Sequence, residues 1–178
     1  EKTGQKNLCL AGGVAQNSVA NGKLTDQTGF EHLFVPPAAH DAGTATGSAL
    51  YYLHHQKTYP RQPFSRQAYT GAHFSTDEVE VILRQQGIAY ERLTDDELFE
   101  TTATQLADGM VVGWFQGRAE LGPRALGNRS ILANPARQDA RDLINSKIKR
   151  RESFRPFAPS ILDEAVGKYF EKADTAPF

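Results

Sequence analysis

Tyr59-Pro60-Arg61-Gln62-Pro63-Phe64 divides the sequence more sharply than any other feature. Two prolines so close together fix φ and remove backbone donors, so neither a helix nor a central strand can run through them. Set among polar neighbours, they read as a linker. A domain boundary is therefore expected within about residues 56–70, with the linker itself at 59–69. The chain of 178 residues then falls into two pieces, 1–58 and 70–178.

The first piece repeats one unit. Leu8-Cys9-Leu10-Ala11 is a short apolar run ending in Gly12-Gly13, which predicts a buried strand entering a tight turn. A helix over Val14 to Leu24 follows, with Val14, Ala15, Ser18, Val19 and Gly22 on one face. Leu33-Phe34-Val35 ends at Pro36-Pro37 and predicts a second strand. From Asp41 a helix of small residues begins, suited to close packing against a neighbour or a ligand. Strand, turn and helix, twice, indicate an α/β sheet with sites at the strand ends.

Beyond the linker the rhythm restarts. Ser75-Thr-Asp-Glu78 and Thr94-Asp-Asp-Glu97 match capping boxes, each opening an apolar helical stripe. The first helix is expected to stop at Gly87 and the second at Asp108-Gly109. Ile88 to Leu93 alternates like a strand. Met110-Val-Val-Gly-Trp-Phe115 and Ser130-Ile-Leu-Ala133 predict two more, separated by a loop rich in Gly and Arg. A helix is expected from about Arg137 to Lys147.

Composition excludes several classes. Apolar residues are 39% and charged residues 23%, with a net charge of -1, an ordinary globular balance. Near-neutrality argues against an overall polyanion binder. The single cysteine, Cys9, rules out an internal disulfide and a four-thiolate zinc site. It is expected to be buried and inert in its strand. It also fits a reducing compartment, so a cytoplasmic location is expected. No apolar run approaches the roughly 20 residues of a membrane helix, and no signal peptide is visible. The chain opens on Glu1 without a Met and ends at Ala176-Pro177-Phe178 without a closing element. It reads as an internal fragment, of marginal stability and without a complete active site.

The neutral total hides a division of charge. Asp77, Glu78, Glu80, Glu91, Asp95, Asp96, Glu97, Glu100 and Asp108 face only Arg84 and Arg92. Arg118 to Arg155 is predominantly basic.

Four constellations could carry chemistry. Gly12-Gly13-Val-Ala-Gln-Asn17 places glycines at a strand end, where a ligand could approach backbone N–H groups and Asn17 could bond a ribose or phosphate. The spacing is neither a P-loop nor a dinucleotide fingerprint, and such a turn serves packing more often. Asp41, in His40-Asp-Ala-Gly43, is either an N-cap or a metal-binding carboxylate, the cap being favoured from the motif alone. Arg118, Arg124 and Arg129 stand in a loop stiffened by Gly and Pro, and planar guanidinium groups held in this way suit phosphate. Lys147 to Arg151 runs into Phe154-Arg155-Pro156-Phe157-Ala-Pro159. A disordered basic tail would not carry this rigid apolar stretch, so the cations are expected to serve a structured phosphate pocket. No Ser-His-Asp or Cys-His set is evident, which weighs against a covalent acyl-enzyme.

These motifs have a known counterpart. Leu10-Ala-Gly-Gly-Val-Ala-Gln-Asn17 with Asn21, His40-Asp-Ala-Gly43, Glu120-Leu-Gly-Pro-Arg-Ala-Leu-Gly-Asn-Arg-Ser130 and Arg151-Glu-Ser-Phe-Arg-Pro-Phe-Ala-Pro159 resemble, in order, the O-carbamoyltransferase family. The resemblance implies the end of an actin-like ATPase-type domain, as in tRNA threonylcarbamoyl transferases, followed by a YrdC-like α/β domain. The second domain would join carbamoyl phosphate and ATP, with Mg2+, into carbamoyl adenylate. The first would pass the carbamoyl group to a hydroxyl of a small molecule or oligosaccharide, with an iron-type divalent metal. On that match Gly12, Gly13 and Asn17 would touch the adenylate, and Asp41 would bind the metal. Arg118, Arg124, Arg129, Ser130, Lys149, Arg151 and Arg155 would hold carbamoyl phosphate and ATP, with Arg124, Arg129 and Arg155 in catalytic roles. The family's histidine ligands would lie upstream. Two other readings stand beside this one. One is a carbamoyl- or threonylcarbamoyl-transferring maturation enzyme acting on a protein thiol or tRNA. The other is an RNA-binding module, disfavoured because few aromatics flank the arginines.

Overall fold

The computed structural model describes residues 3–62 and 67–171. Two compact units divide the chain. Among the described residues, the first takes those up to Thr70 together with Glu120–Arg124, and the second takes Gly71–Ala119 and those from Ala125 on. The expected linker at 59–69 thus lies largely inside the first unit. Residues 63–66 of it lie outside the described residues, but Ala68 is among the most buried side chains, at 1% exposure.

In the first unit, β1 (Asn7–Cys9) pairs in parallel with β2 (His32–Phe34), in the register Asn7–His32, Leu8–Leu33 and Cys9–Phe34. Only Leu8 and Leu33 of the two strands are partly covered. Cys9 is exposed, which corrects the expectation of a buried thiol: the pleat turns alternate side chains to opposite faces, and Cys9 lies on the open one. The helix expected over Val14 to Leu24 is broken near its start. A 3₁₀ turn, Gly13–Gln16, comes first, and α1 (Ser18–Gln27) begins after Asn17, whose Oδ1 accepts from the Ala20 backbone N–H at 3.1 Å. Asparagine favours that cap over a helix interior. Val14 and Val19, 84% and 66% exposed, therefore form no buried stripe. β2 leads through Pro36-Pro37 to α2 (Gly43–Tyr51), which continues as a π-helical turn over Tyr52–Gln56. The buried apolar side chains of this unit are Ala15, Ala38, Ala39 and Ala68. Its burial is concentrated at the loops beyond the strand ends.

In the second unit both capping boxes form. Ser75 and Glu78 close the start of α3 (Thr76–Gln85), and Thr94 and Glu97 that of α4 (Asp95–Ala107). The Glu78 carboxylate accepts from the Ser75 N–H and hydroxyl at 2.8 Å each, and these bonds hold its pKa below the ordinary carboxylate value. Gly87 and Gly109, at φ +64° and +86°, end the two helices where only glycine adopts that backbone without strain. The alternation from Ile88 to Leu93 produces no strand. That segment lies beside α3, where the Tyr90 hydroxyl donates to Glu80 and Arg92 pairs with Glu80 at 3.1 Å. Its alternation reflects contacts with a helix rather than a ladder. β3 (Val112–Phe115) and β4 (Arg129–Leu132) form an antiparallel pair, as the two apolar runs suggest. The last expected helix is α5 (Ala140–Leu143), continued as a π-helical turn over Ile144–Lys149 and stopped by Arg150 at φ 48°.

Candidate active site

A cleft of about 350 Å³ opens in the first unit beyond the ends of β1 and β2. Its walls are Ala11-Gly12 from the first turn and Pro36, Ala38, Ala39, His40, Asp41, Gly43 and Thr44 from the second. The turns are joined by a 2.6 Å bond from the Gly12 N–H to the Ala39 carbonyl. Gly12 has φ +98°, a value that favours glycine. Gly43 is required for another reason: a Cβ there would stand 2.1 Å from the Ala38 carbonyl oxygen. The small-residue start of α2 is thus what lets its first turn close on the strand end.

Asp41 does not cap α2. Its backbone carbonyl accepts from the Thr44 N–H and hydroxyl, and the residue before the helix, Ala42, makes no side-chain cap. The exposed Asp41 carboxylate is therefore not committed to the helix end. His40, beside it on the wall, has a buried Nδ1 with no hydrogen-bond partner. Buried polar atoms are normally paired, so this one suits a ligand atom or water. Asp41 fits a divalent ion as one oxygen donor. Among the described residues no group of three or more His, Cys, Asp or Glu side chains could hold a metal. Asn17 and Asn21 both serve the turn, Asn17 as the cap of α1 and Asn21 through a 2.7 Å bond to the Ala15 carbonyl.

The arginine loop is divided between the units: Arg124 belongs to the first, Arg118 and Arg129 to the second. Gly122, at φ +103°, passes so close to Pro37 that a Cβ would lie 2.3 Å from the Pro37 oxygen. The Leu121 N–H bonds the Ala68 carbonyl, and Arg124 Nη2 donates to the Gln16 carbonyl at 3.3 Å.

Arg129 lies in the second unit and is heavily engaged. Nη1 donates to the carbonyls of Gln116 and Asn128, and Nη2 to those of Gly117 and Ala72. The guanidinium also stacks 3.5 Å above the Phe115 ring. The sequence suggests an anion ligand here, and the structure gives a staple that ties the loop to the strand. Asn128 continues it, donating to the Arg118 carbonyl at 2.7 Å, and Ser130 Oγ accepts from the Gly127 N–H at 2.9 Å. Arg118 thus sits on a backbone fixed from both sides, also bridged to His73.

The last motif is organised by a residue that the sequence reading passes over. Asn145 is fully buried, and its Nδ2 donates to the carbonyls of Ser153 and Arg155 at 3.3 and 3.0 Å. Its Oδ1 accepts from Arg151 Nε, and the Arg151 guanidinium lies 4.7 Å from the Phe157 ring centroid. The only sequence signal is one asparagine among the apolar residues of Leu143-Ile-Asn-Ser. Arg155 pairs at the surface with Glu152 at 2.8 Å. Such an exposed pair contributes little to stability. Lys149 is exposed at the end of the π-helical turn.

Comparison with known proteins decides what kind of chain carries these features. Residues 1–50 match the family model described as carbamoyltransferase N-terminus, and residues 103–178 that described as carbamoyltransferase C-terminus. The chain belongs to the carbamoyltransferase family. An uncharacterized protein of Synechocystis sp. is 46% identical over 184 residues, covering 100% of this chain and 30% of the relative. Nodulation protein NolNO of Sinorhizobium fredii is 46% identical over 179 residues, 98% of this chain and 26% of its own length. A 3'-hydroxymethylcephem-O-carbamoyltransferase of Amycolatopsis lactamdurans is 37% identical over 171 residues, 96% of this chain and 31% of its own length. The chain thus spans under a third of the length of each of these relatives. The Gly12–Asp41 cleft lies within the stretch matched by the N-terminal model, and the Arg118, Arg129 and Arg151 motifs within that matched by the C-terminal one. Among the described residues no helix is long and apolar enough to cross a membrane.

Proposed function

We propose that the protein is an ATP-dependent O-carbamoyltransferase whose two units carry different half-reactions. In this reading the first unit is the end of an actin-like transfer domain and the second a YrdC-like adenylating domain. Carbamoyl phosphate, ATP and one water give carbamoyl adenylate, phosphate and pyrophosphate. A hydroxyl oxygen of the acceptor then attacks the carbamoyl carbon, and AMP leaves.

The observation that carries the reading is the match of both carbamoyltransferase models, in order, on a chain whose motifs are divided between two compact units. The cephem relative acts, by its name, on a hydroxymethyl group, which supports a hydroxyl-bearing small molecule or oligosaccharide as acceptor here.

In the second unit Arg118, Lys149, Arg151 and Arg155 bind the anionic substrates, which travel with Mg2+. Their placement on a loop held by Arg129, Asn128 and Asn145 means little reorganisation as charge develops on pyrophosphate. In the first unit the Gly12–Gly13 turn lets the adenylate approach the backbone. Asp41 would supply one oxygen ligand to an iron-type divalent metal there, and such a metal would act as a Lewis acid on a carbonyl oxygen.

The test uses carbamoyl phosphate labelled in its carbon, ATP and a panel of alcohols including chitooligosaccharides and a hydroxymethylcephem, with the full-length protein. Label is expected in an alcohol only when ATP is present, and Asp41→Asn is expected to stop that transfer. Transfer without ATP, or undiminished in Asp41→Asn, would contradict the reading.

A further inference from the structure

Arg124 carries a feature that the two-site reading does not use. It is flanked by residues of the second unit, but the Glu120–Arg124 segment belongs to the first. That packing is tightly specified. Gly122 is the one residue type that fits against the Pro37 carbonyl at φ +103°, and Pro37 adjoins Ala38 of the cleft wall. The segment is also pinned by the Leu121 N–H on the Ala68 carbonyl. Its outcome is a guanidinium held at the Gly13–Gln16 turn, by a single 3.3 Å bond to the Gln16 carbonyl.

Arg124 has no carboxylate partner among the described residues; its exposed guanidinium makes one long bond to a carbonyl and turns its other donors to solvent, where a ligand can reach them. The residue that anchors it, Gln16, has a buried side-chain Nε2 with no acceptor. A solvent-facing guanidinium and a buried amide without an acceptor therefore meet at one turn. The turn adjoins Gly12, whose backbone lines the cleft. A fixed cation and a donor amide, next to a glycine turn that admits a ligand to the backbone, suit an oxyanion.

We infer that Arg124 is a binding residue of the transfer cleft in the first unit, where it holds the phosphate of the carbamoyl adenylate, and that it does not serve adenylate formation. The inference rests on the proposed two-step reaction for the identity of the anion. Arg124 pairs with the single negative charge of an acyl-adenylate phosphodiester, while Gln16 Nε2 donates to one of its oxygens. When AMP leaves, its phosphate gains a second negative charge, and the fixed guanidinium stabilises that charge as it develops.

The experiment measures two quantities in the full-length protein, Arg124→Ala and Arg124→Lys. One is pyrophosphate formed from ATP in a single turnover with carbamoyl phosphate. The other is binding, by calorimetry, of a stable sulfamoyl analogue of carbamoyl adenylate. The unsubstituted protein is expected to bind two analogues per chain. Arg124→Ala is expected to weaken one site by at least tenfold and to change pyrophosphate formation by less than threefold. Arg124→Lys should recover part of the affinity, which a purely structural role would not require. Loss of pyrophosphate formation in Arg124→Ala, or two sites of unchanged affinity, would overturn the assignment. If the unsubstituted protein makes no pyrophosphate, the adenylation reading falls, and the Arg124 dependence of analogue binding still decides the residue's place.

Discussion

Arg151 Nε donates a 2.7 Å hydrogen bond to Oδ1 of Asn145, a side chain with 0% of its surface exposed. The same amide holds the carbonyls of Ser153 and Arg155, so one buried residue fixes the course of the basic segment. Asn145→Leu keeps the number and branching of the side-chain heavy atoms but removes the partner of two carbonyls and of Arg151 Nε. Each such loss costs about 1–3 kcal/mol. A clear fall in melting temperature is expected, with weaker carbamoyl phosphate binding. Unchanged melting would show that Asn145 does not organise the segment.

Arg129 and Arg124 are both loop arginines, but their substitutions should differ. Arg129→Lys preserves charge and loses the planar fork that reaches four carbonyls. The expected result is destabilisation of about 1–3 kcal/mol in denaturant melts, with the salt dependence of carbamoyl phosphate binding unchanged. A stable protein with a shallower salt dependence would instead make Arg129 a direct anion ligand.

Gly122→Ala tests the seating of the 120–124 segment. The added Cβ meets the Pro37 carbonyl at 2.3 Å and forces a non-glycine residue to φ +103°. Strain of this kind costs about 1–3 kcal/mol. The segment is expected to become sensitive to limited proteolysis near Arg124. Protection equal to that of the unsubstituted protein would mean the contact with Pro37 is dispensable.

Acid should act through the helix starts. Glu78 and Glu97 are held below the ordinary value of 4.5, first by the N–H groups of Ser75 and Thr94 and next by their hydroxyls. Glu80 is lowered chiefly by the Tyr90 hydroxyl, then by Arg84 and Arg92. A lowered folded-state pKa gives stability that is fully present above 4.5 and is lost as pH falls through the lower folded value. Melting temperature should therefore decline below about pH 4.5, and Glu78→Gln with Glu97→Gln should flatten that decline. An equal decline in the double variant would place the acid-sensitive groups elsewhere.

Local signals in the sequence were legible where the cause was itself local. Ser75 and Thr94 fix their helices through bonds three residues away, and Gly87 and Gly109 end them. β3 and β4 follow from their apolar runs. Ile88–Leu93 misleads because alternation records only which side chains find partners, and here Tyr90 and Arg92 find α3. The roles of Arg129 and Asn145 depend on which carbonyls lie within reach after folding, and composition carries no trace of that. The same holds for Gly122, whose requirement is set by Pro37, far away in sequence. The motifs placed Asp41 and Gly12 correctly at neighbouring strand ends, since a parallel pair puts both turns on one side.

The most direct test of the central claim is pyrophosphate release from ATP by the full-length protein, followed with and without carbamoyl phosphate. The account requires cleavage to AMP and pyrophosphate that depends on carbamoyl phosphate and releases inorganic phosphate in equal amount. Cleavage to ADP, or cleavage indifferent to carbamoyl phosphate, would contradict it.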